Sequence, residues 1–95
     1  PAKGGAEIRL LAGRLSQARG DAGLAERLYQ EAASREAPAT APAAELALAE
    51  LMLTGNRTAE AVARLEHLIL TYPESALVPQ ARRTLDQARG AVPRT

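Results

Sequence analysis

The chain has 95 residues, 46% of them hydrophobic, with a formal net charge of +1 and no cysteine. A chain of this length fits one domain, which hides about 60 to 65 percent of the surface its unfolded form would expose. Near-neutral charge removes any global draw toward nucleic acid or acidic lipid, and the lack of cysteine excludes disulfides and thiolate chemistry.

The apolar residues are nearly all Ala and Leu, with Tyr29 and Tyr72 as the sole aromatics, a composition that favours helices over strands. Residues 1–5 read as a flexible lead without a signal-peptide core, and Pro rather than Met at position 1 is expected of a processed form or a piece of a longer protein. Ile8, Leu11, Ala12 and Leu15 then recur at three- and four-residue steps, which predicts a first helix carrying them on one apolar face. Gly20 and Asp21 break that pattern. The Asp21 carboxylate is placed to accept from the free N–H groups of a second helix over about 22–35, with Leu24, Leu28, Tyr29 and Ala32 as its stripe.

Pro38 and Pro42 make 37–42 a connector, because each proline lacks an N–H and turns the residue before it away from helical angles. Pro42 is expected in the first turn of a third helix that runs to about Leu53, where Gly55 and Asn56 tolerate left-handed angles. Thr58 is the expected cap of a fourth helix with Ala61, Val62, Leu65, Leu68, Ile69 and Tyr72 on its stripe and Pro73 at its end. Ser75 is the expected cap of a fifth, lined by Val78, Ala81, Leu85 and Ala88 and closed at Gly90, with 91–95 as a tail. No run approaches the roughly 18 consecutive apolar residues of a membrane span.

Laying helices one and two over three and four at a shift of about 36 residues aligns Gly20 with Asn56, Ala25 with Ala61, Tyr29 with Leu65 and Ala32 with Leu68, an internal helix-turn-helix repeat.

This pattern resembles the tetratricopeptide family, whose unit of about 34 residues places small residues at a close helix crossing and a large one between them. Ala12, Gly13, Ala25, Tyr29 and Ala32 match in the first unit, and Leu48, Ala49, Ala61, Leu65 and Pro73 in the second. The connector is about two residues longer than the family's, and Arg9, Ser16, Glu45 and Met52 stand where the family has large aromatics. The run from Leu70 to Ser75, followed by Gln80, Ala81, Arg82 and Leu85, is similar to a signature of bacterial cell-envelope members such as outer-membrane assembly lipoproteins and the Tol–Pal-associated periplasmic coordinator.

The resemblance implies an all-α fold: a right-handed stack of antiparallel helix pairs, about two and a half repeats and five helices. Repeat one would span 6–37, repeat two 41–74 and a capping helix 75–90. It also implies a periplasmic or envelope location, with the cytoplasm left open.

Groups able to do chemistry are few. His67 is the only histidine, so a zinc site would have to be completed by carboxylates alone. Ser16, Ser34 and Ser75 lack a nearby base. The acid pairs Glu31 with Glu36 and Glu45 with Glu50 are expected on solvated faces. The glycines form no phosphate cradle, and no cofactor or small-molecule substrate is indicated.

The leading reading is a non-enzymatic module that holds a protein or peptide. By resemblance the inner surface comprises Glu7, Leu10, Arg14 and Gln17 with Leu46, Glu50 and Leu53, although Leu10, Leu46 and Leu53 are equally well read as ordinary core. A two-carboxylate clamp of the kind that binds chaperone tails would need Lys and Asn where Leu10, Arg14, Leu46 and Glu50 stand. A mixed groove suits an amphipathic helix or an extended segment. The alternatives are a structural subunit packed into a larger complex, and binding of nucleic acid or an anionic surface through Arg82, Arg83, Arg89 and Arg94. Near-neutral charge and the absence of stacking aromatics weigh against the latter.

Overall fold

A computed structural model describes residues 5–35 and 37–91. It contains five helices, α1 (Gly5–Ala18), α2 (Ala22–Ser34), α3 (Ala41–Thr54), α4 (Thr58–Thr71) and α5 (Val78–Ala91), and no strand among the described residues. Gly5, assigned above to the lead, is already helical and buried, and its carbonyl accepts from Arg9 Nη1 at 3.2 Å. The final helix also continues one residue past Gly90. Residues 1–4 of the lead, Glu36 and 92–95 of the tail lie outside the described residues.

The internal repeat is carried by the backbone. Both α1 and α3 are 14 residues long, and α3 begins 36 positions after α1, as α4 does after α2. The turns that follow α1 and α3 match bond for bond. Asp21 N–H donates to the Ser16 carbonyl at 2.9 Å and Arg57 N–H to that of Met52 at 2.8 Å, while Gly20 N–H reaches Gln17 and Asn56 N–H reaches Leu53. Each turn needs one left-handed residue to return the last helical carbonyls to a donor. Gly20 with φ of 85° and Asn56 with φ of 61° supply it.

This geometry also fixes where the next helix starts. Asp21 caps α2 as expected, its Oδ1 accepting from Leu24 N–H at 3.1 Å. In the second unit the cap position falls on Arg57, which offers no acceptor, so Thr58 is the first helical residue rather than the cap. Ser75 sits three positions ahead of α5, where its Oγ closes a turn by accepting from Leu77 N–H at 3.1 Å rather than capping the helix.

Every helix packs on the next in sequence, and α1 also touches α3. The principal-axis extents of the molecule are 49 × 32 × 16 Å. The middle helix, α3, is the most enclosed: Ala41, Ala44, Leu46, Leu48, Ala49, Leu51 and Met52 are all buried.

The largest departure from the sequence reading lies on α1. Ile8, Leu11 and Leu15, expected on a core stripe, are 62%, 59% and 54% exposed. The face that meets α2 is instead Ala6, Leu10, Gly13 and Ser16. Small residues are required there because Tyr29 lies across the helix: a Cβ on Gly13 would stand 2.6 Å from Tyr29 Cε1. On α2, Ala25, Tyr29 and Ala32 are buried as expected, whereas Leu24 is exposed and Leu28 half-buried. In the second unit the same crossing is made by Ala49 and Leu65, both fully buried.

Glu45, expected on a solvated face, is 1% exposed. Its carboxylate is held by Arg64 Nη1 at 3.1 Å and by His67 Nδ1, so burial leaves it fully hydrogen-bonded. Arg9 occupies the corresponding place in the first unit, where its Nε donates to Glu31 at 3.1 Å. One site in each unit therefore carries a cross-helix ion pair, with the signs exchanged.

Candidate functional site

A groove of about 330 Å³ opens where α1, α3 and the start of α5 converge. Arg14 and Gln17 contribute from α1, Tyr29 from α2, Ala43, Leu46, Ala47 and Glu50 from α3, and Leu77 and Gln80 from the final turn and helix. A second hollow beside it, bounded by Glu7, Leu10, Leu11, Arg14, Ala39 and Thr40, shares Arg14 as a wall.

Of the seven residues expected on the partner-binding surface, Arg14, Gln17, Leu46 and Glu50 meet in the main groove, and Glu7 and Leu10 join them across the shared Arg14 wall. Leu53 borders neither hollow and packs half-buried against the core. Leu10 and Leu46 are themselves buried, so they shape the floor and offer little area to a ligand. Sequence reasoning missed Tyr29, Ala43, Ala47, Leu77 and Gln80 as groove residues. Ala43, Ala47 and Glu50 share a helical face at steps of four and three, yet nearly every residue of α3 from Ala41 to Leu53 is apolar, so no stripe stands out. Leu77 and Gln80 reach the groove because the chain returns over α3 after α4, which local pattern does not encode.

The polar groups fall into two sets. Tyr29 is 1% exposed, and its hydroxyl donates to Gln17 Oε1 at 2.7 Å. Burial pushes its phenol above the ordinary value near 10, Arg14 draws it partly back, and Glu50 adds to the rise. Tyr29 is therefore a neutral, rigid back wall. Arg14 and Glu50 are exposed, and neither forms an ion pair among the described residues. Buried and half-buried charges elsewhere are paired, as where Arg57 binds Glu26, Arg64 binds Glu45 and Glu66 binds Arg89, whereas exposed ones such as Arg19, Arg27, Arg82 and Arg83 form no ion pair among the described residues. The groove thus presents one cation and one anion, Arg14 and Glu50, at equivalent positions of α1 and α3 beside a strip of Ala43, Leu46 and Ala47.

No protein-family model, curated protein or solved structure matches this chain.

The hydroxyls and imidazole considered above as reactive groups have local structural partners. Ser16 donates to the Ala12 carbonyl at 2.8 Å and Ser34 to that of Glu31 at 2.9 Å, each within its own helix. His67 faces Glu45 in a third hollow with Gln30, Ala33, Ser34 and Arg64. On α5, Arg82, Arg83 and Arg89 are exposed, with Arg89 already matched by Glu66; Arg94 lies outside the described residues. No described helix is long and apolar enough to cross a membrane.

Proposed function

We propose that this chain is a non-enzymatic interaction module of tetratricopeptide-like type, an α-solenoid of helix pairs whose inner groove holds a peptide or helix of another protein. The observation that carries this reading is the groove itself, in which an apolar strip of Ala43, Leu46 and Ala47 lies beside two exposed, oppositely charged side chains, Arg14 and Glu50. A ligand that lays apolar side chains over Ala43 and Ala47 gains by excluding water, and the order of the two charges across the groove, Arg14 on α1 and Glu50 on α3, fixes its orientation. Gln17 and Gln80 can bond its backbone or polar side chains. The matching turns and sign-exchanged pairs of the two units support the stacked-pair reading.

Selection of displayed peptides on the wild-type chain, followed by titration against groove variants, tests this. Ala47→Arg fills the strip, and Arg14→Glu or Glu50→Arg reverses one of the two charges; each is expected to weaken selected peptides about tenfold or more. Peptides that bind all three variants as well as wild type, and are lost in Arg82→Glu with Arg83→Glu, would move the binding surface to α5 and refute the groove.

A further inference from the structure

The exposed apolar stripe on α1 has a counterpart on each of the other first-in-pair helices. At the 36-residue shift Ile8, Ala12 and Leu15 correspond to Ala44, Leu48 and Leu51 of α3, all buried. The third such helix, α5, begins 37 positions after α3, so Ala81, Leu85 and Ala88 occupy the same places; these are buried too. Even the prolines agree, with Pro42 and Pro79 each second in its helix. The partner that buries this face is clearest at α5, which packs on α4 and makes no comparable contact with another helix. The face is therefore the one that receives the preceding helix: α4 covers it on α5, and the α2–α3 contact provides the same neighbour for α3. On α1 it is open, and Leu11 widens it.

We infer that this face of α1 is a docking site for one further amphipathic helix of the α2 and α4 kind, joined covalently ahead of α1. Two features select that occupant. Ile8, Leu11 and Leu15 together expose roughly 300 Å² of apolar surface, the scale at which a contiguous patch marks an interaction site, yet far below the roughly 800 Å² per partner of a standard interface. A second copy packed through this stripe would bury too little to hold, whereas a linked helix meets the face at high effective concentration. Register selects its shape: Ile8 stands where α3 and α5 have Ala, so the incoming helix carries a small residue opposite it. This site lies on the end of the stack, and it rests on the helix register rather than on the groove or its ligand.

The test adds a copy of Thr58–Pro73 ahead of Pro1 of the full chain, so that the four residues Pro1 to Gly4 take the place that Glu74 to Leu77 hold between α4 and α5. Hydrogen exchange at the α1 amides is expected to slow at least tenfold, and the melting temperature to rise. Ile8→Asp with Leu15→Asp is expected to abolish both effects in the extended chain while leaving the unextended chain's melting temperature nearly unchanged. Because the copied helix evolved against Ala81, an Ile8→Ala form of the extended chain is measured alongside. Slowed exchange in either extended form, lost with the two aspartates, supports the site. Unchanged exchange in both, or slowing that survives the aspartates, overturns it. A concentration-dependent dimer of the unextended chain, broken by the same two aspartates, overturns the linked helix in favour of a second copy.

Discussion

Gly13→Ala adds one methyl group where Tyr29 presses on α1. Its Cβ would stand 2.6 Å from Cε1 and 2.7 Å from Cδ1 of Tyr29, where ordinary contact begins at 3.4 Å, so the ring must retreat by close to an ångström. The ring has nowhere easy to go, being 1% exposed and tied through its hydroxyl to Gln17. Overpacking of this kind costs about 1 to 3 kcal/mol. Replacing a mid-helix glycine by alanine returns about 1 kcal/mol of helix propensity. With the rigid ring placing the clash at the upper end, the net loss is about 1 to 2 kcal/mol, or a fall in melting temperature of about 5 to 15 °C for a domain of this size.

Thermal unfolding followed by circular dichroism reads this directly, with Gly23→Ala as control, since nothing lies within 4 Å of a Cβ there. The decisive arm is Gly13→Ala with Tyr29→Leu, which copies the Ala49 and Leu65 pairing of the second unit. In a double-mutant cycle the methyl group is expected to cost much less in the Tyr29→Leu background than beside the native ring. If Gly13→Ala melts no lower than wild type, or costs the same in both backgrounds, the crossing is not controlled by this contact.

Three further outcomes follow from the same geometry. Gly20→Ala and Asn56→Ala each force a side chain without a local hydrogen-bonding group into left-handed backbone, so each is expected to destabilise by about 1 kcal/mol, while Asn56→Gly does not; denaturant titration checks the order. Glu45→Ala removes a buried carboxylate and leaves Arg64 and His67 to turn toward water, for a loss of about 1 to 3 kcal/mol, whereas Glu31→Ala at the exposed counterpart costs under about 1 kcal/mol; equal losses in urea would contradict the burial difference. Burial raises the folded-state value of Tyr29 above that of the unfolded chain. The stabilising contribution is thus complete below about pH 10 and lost as pH rises through the folded value, and Tyr29→Phe is expected to flatten the alkaline limb of the stability–pH curve.

Helix number and turns are legible in the sequence because Gly20, Pro42, Asn56 and Pro73 act through backbone constraints that need no tertiary context. Tyr29 and Ala25 are legible as core because the large residue and the small one recur 36 positions later. The α1 stripe misleads for a physical reason. Periodicity reports where the largest apolar side chains lie, while burial in this chain is decided by where a neighbour fits, and the buried face of α1 is Ala6, Leu10, Gly13 and Ser16, with Tyr29 lying against Gly13. Glu45 misleads because a carboxylate among alanines and leucines looks solvated until the residues 19 and 22 positions away are placed beside it. In the groove, the charges of Arg14 and Glu50 can be anticipated from the repeat. The apolar strip beside them cannot, since an almost wholly apolar helix gives no hint of which alanines stay open.

The exchanged signs of the two cross-helix pairs bear on how the chain avoids assembling wrongly. Two near-copies of one hairpin can in principle trade partners during folding, with α1 taking α4 and α3 taking α2 in the manner of a swapped dimer. In that arrangement Arg9 would face Arg64 and His67, and the enclosed Glu45 carboxylate would lie against Glu31. Arg9, Arg64, His67 and Glu31 reach water, which screens their repulsion, so the penalty of the mispaired form falls mainly on the enclosed Glu45, left without the cations that hold it. Had both units kept the same sign order, either partner would have satisfied either helix. The inversion marks each hairpin as its own, letting two halves built on one plan fold side by side without exchanging helices.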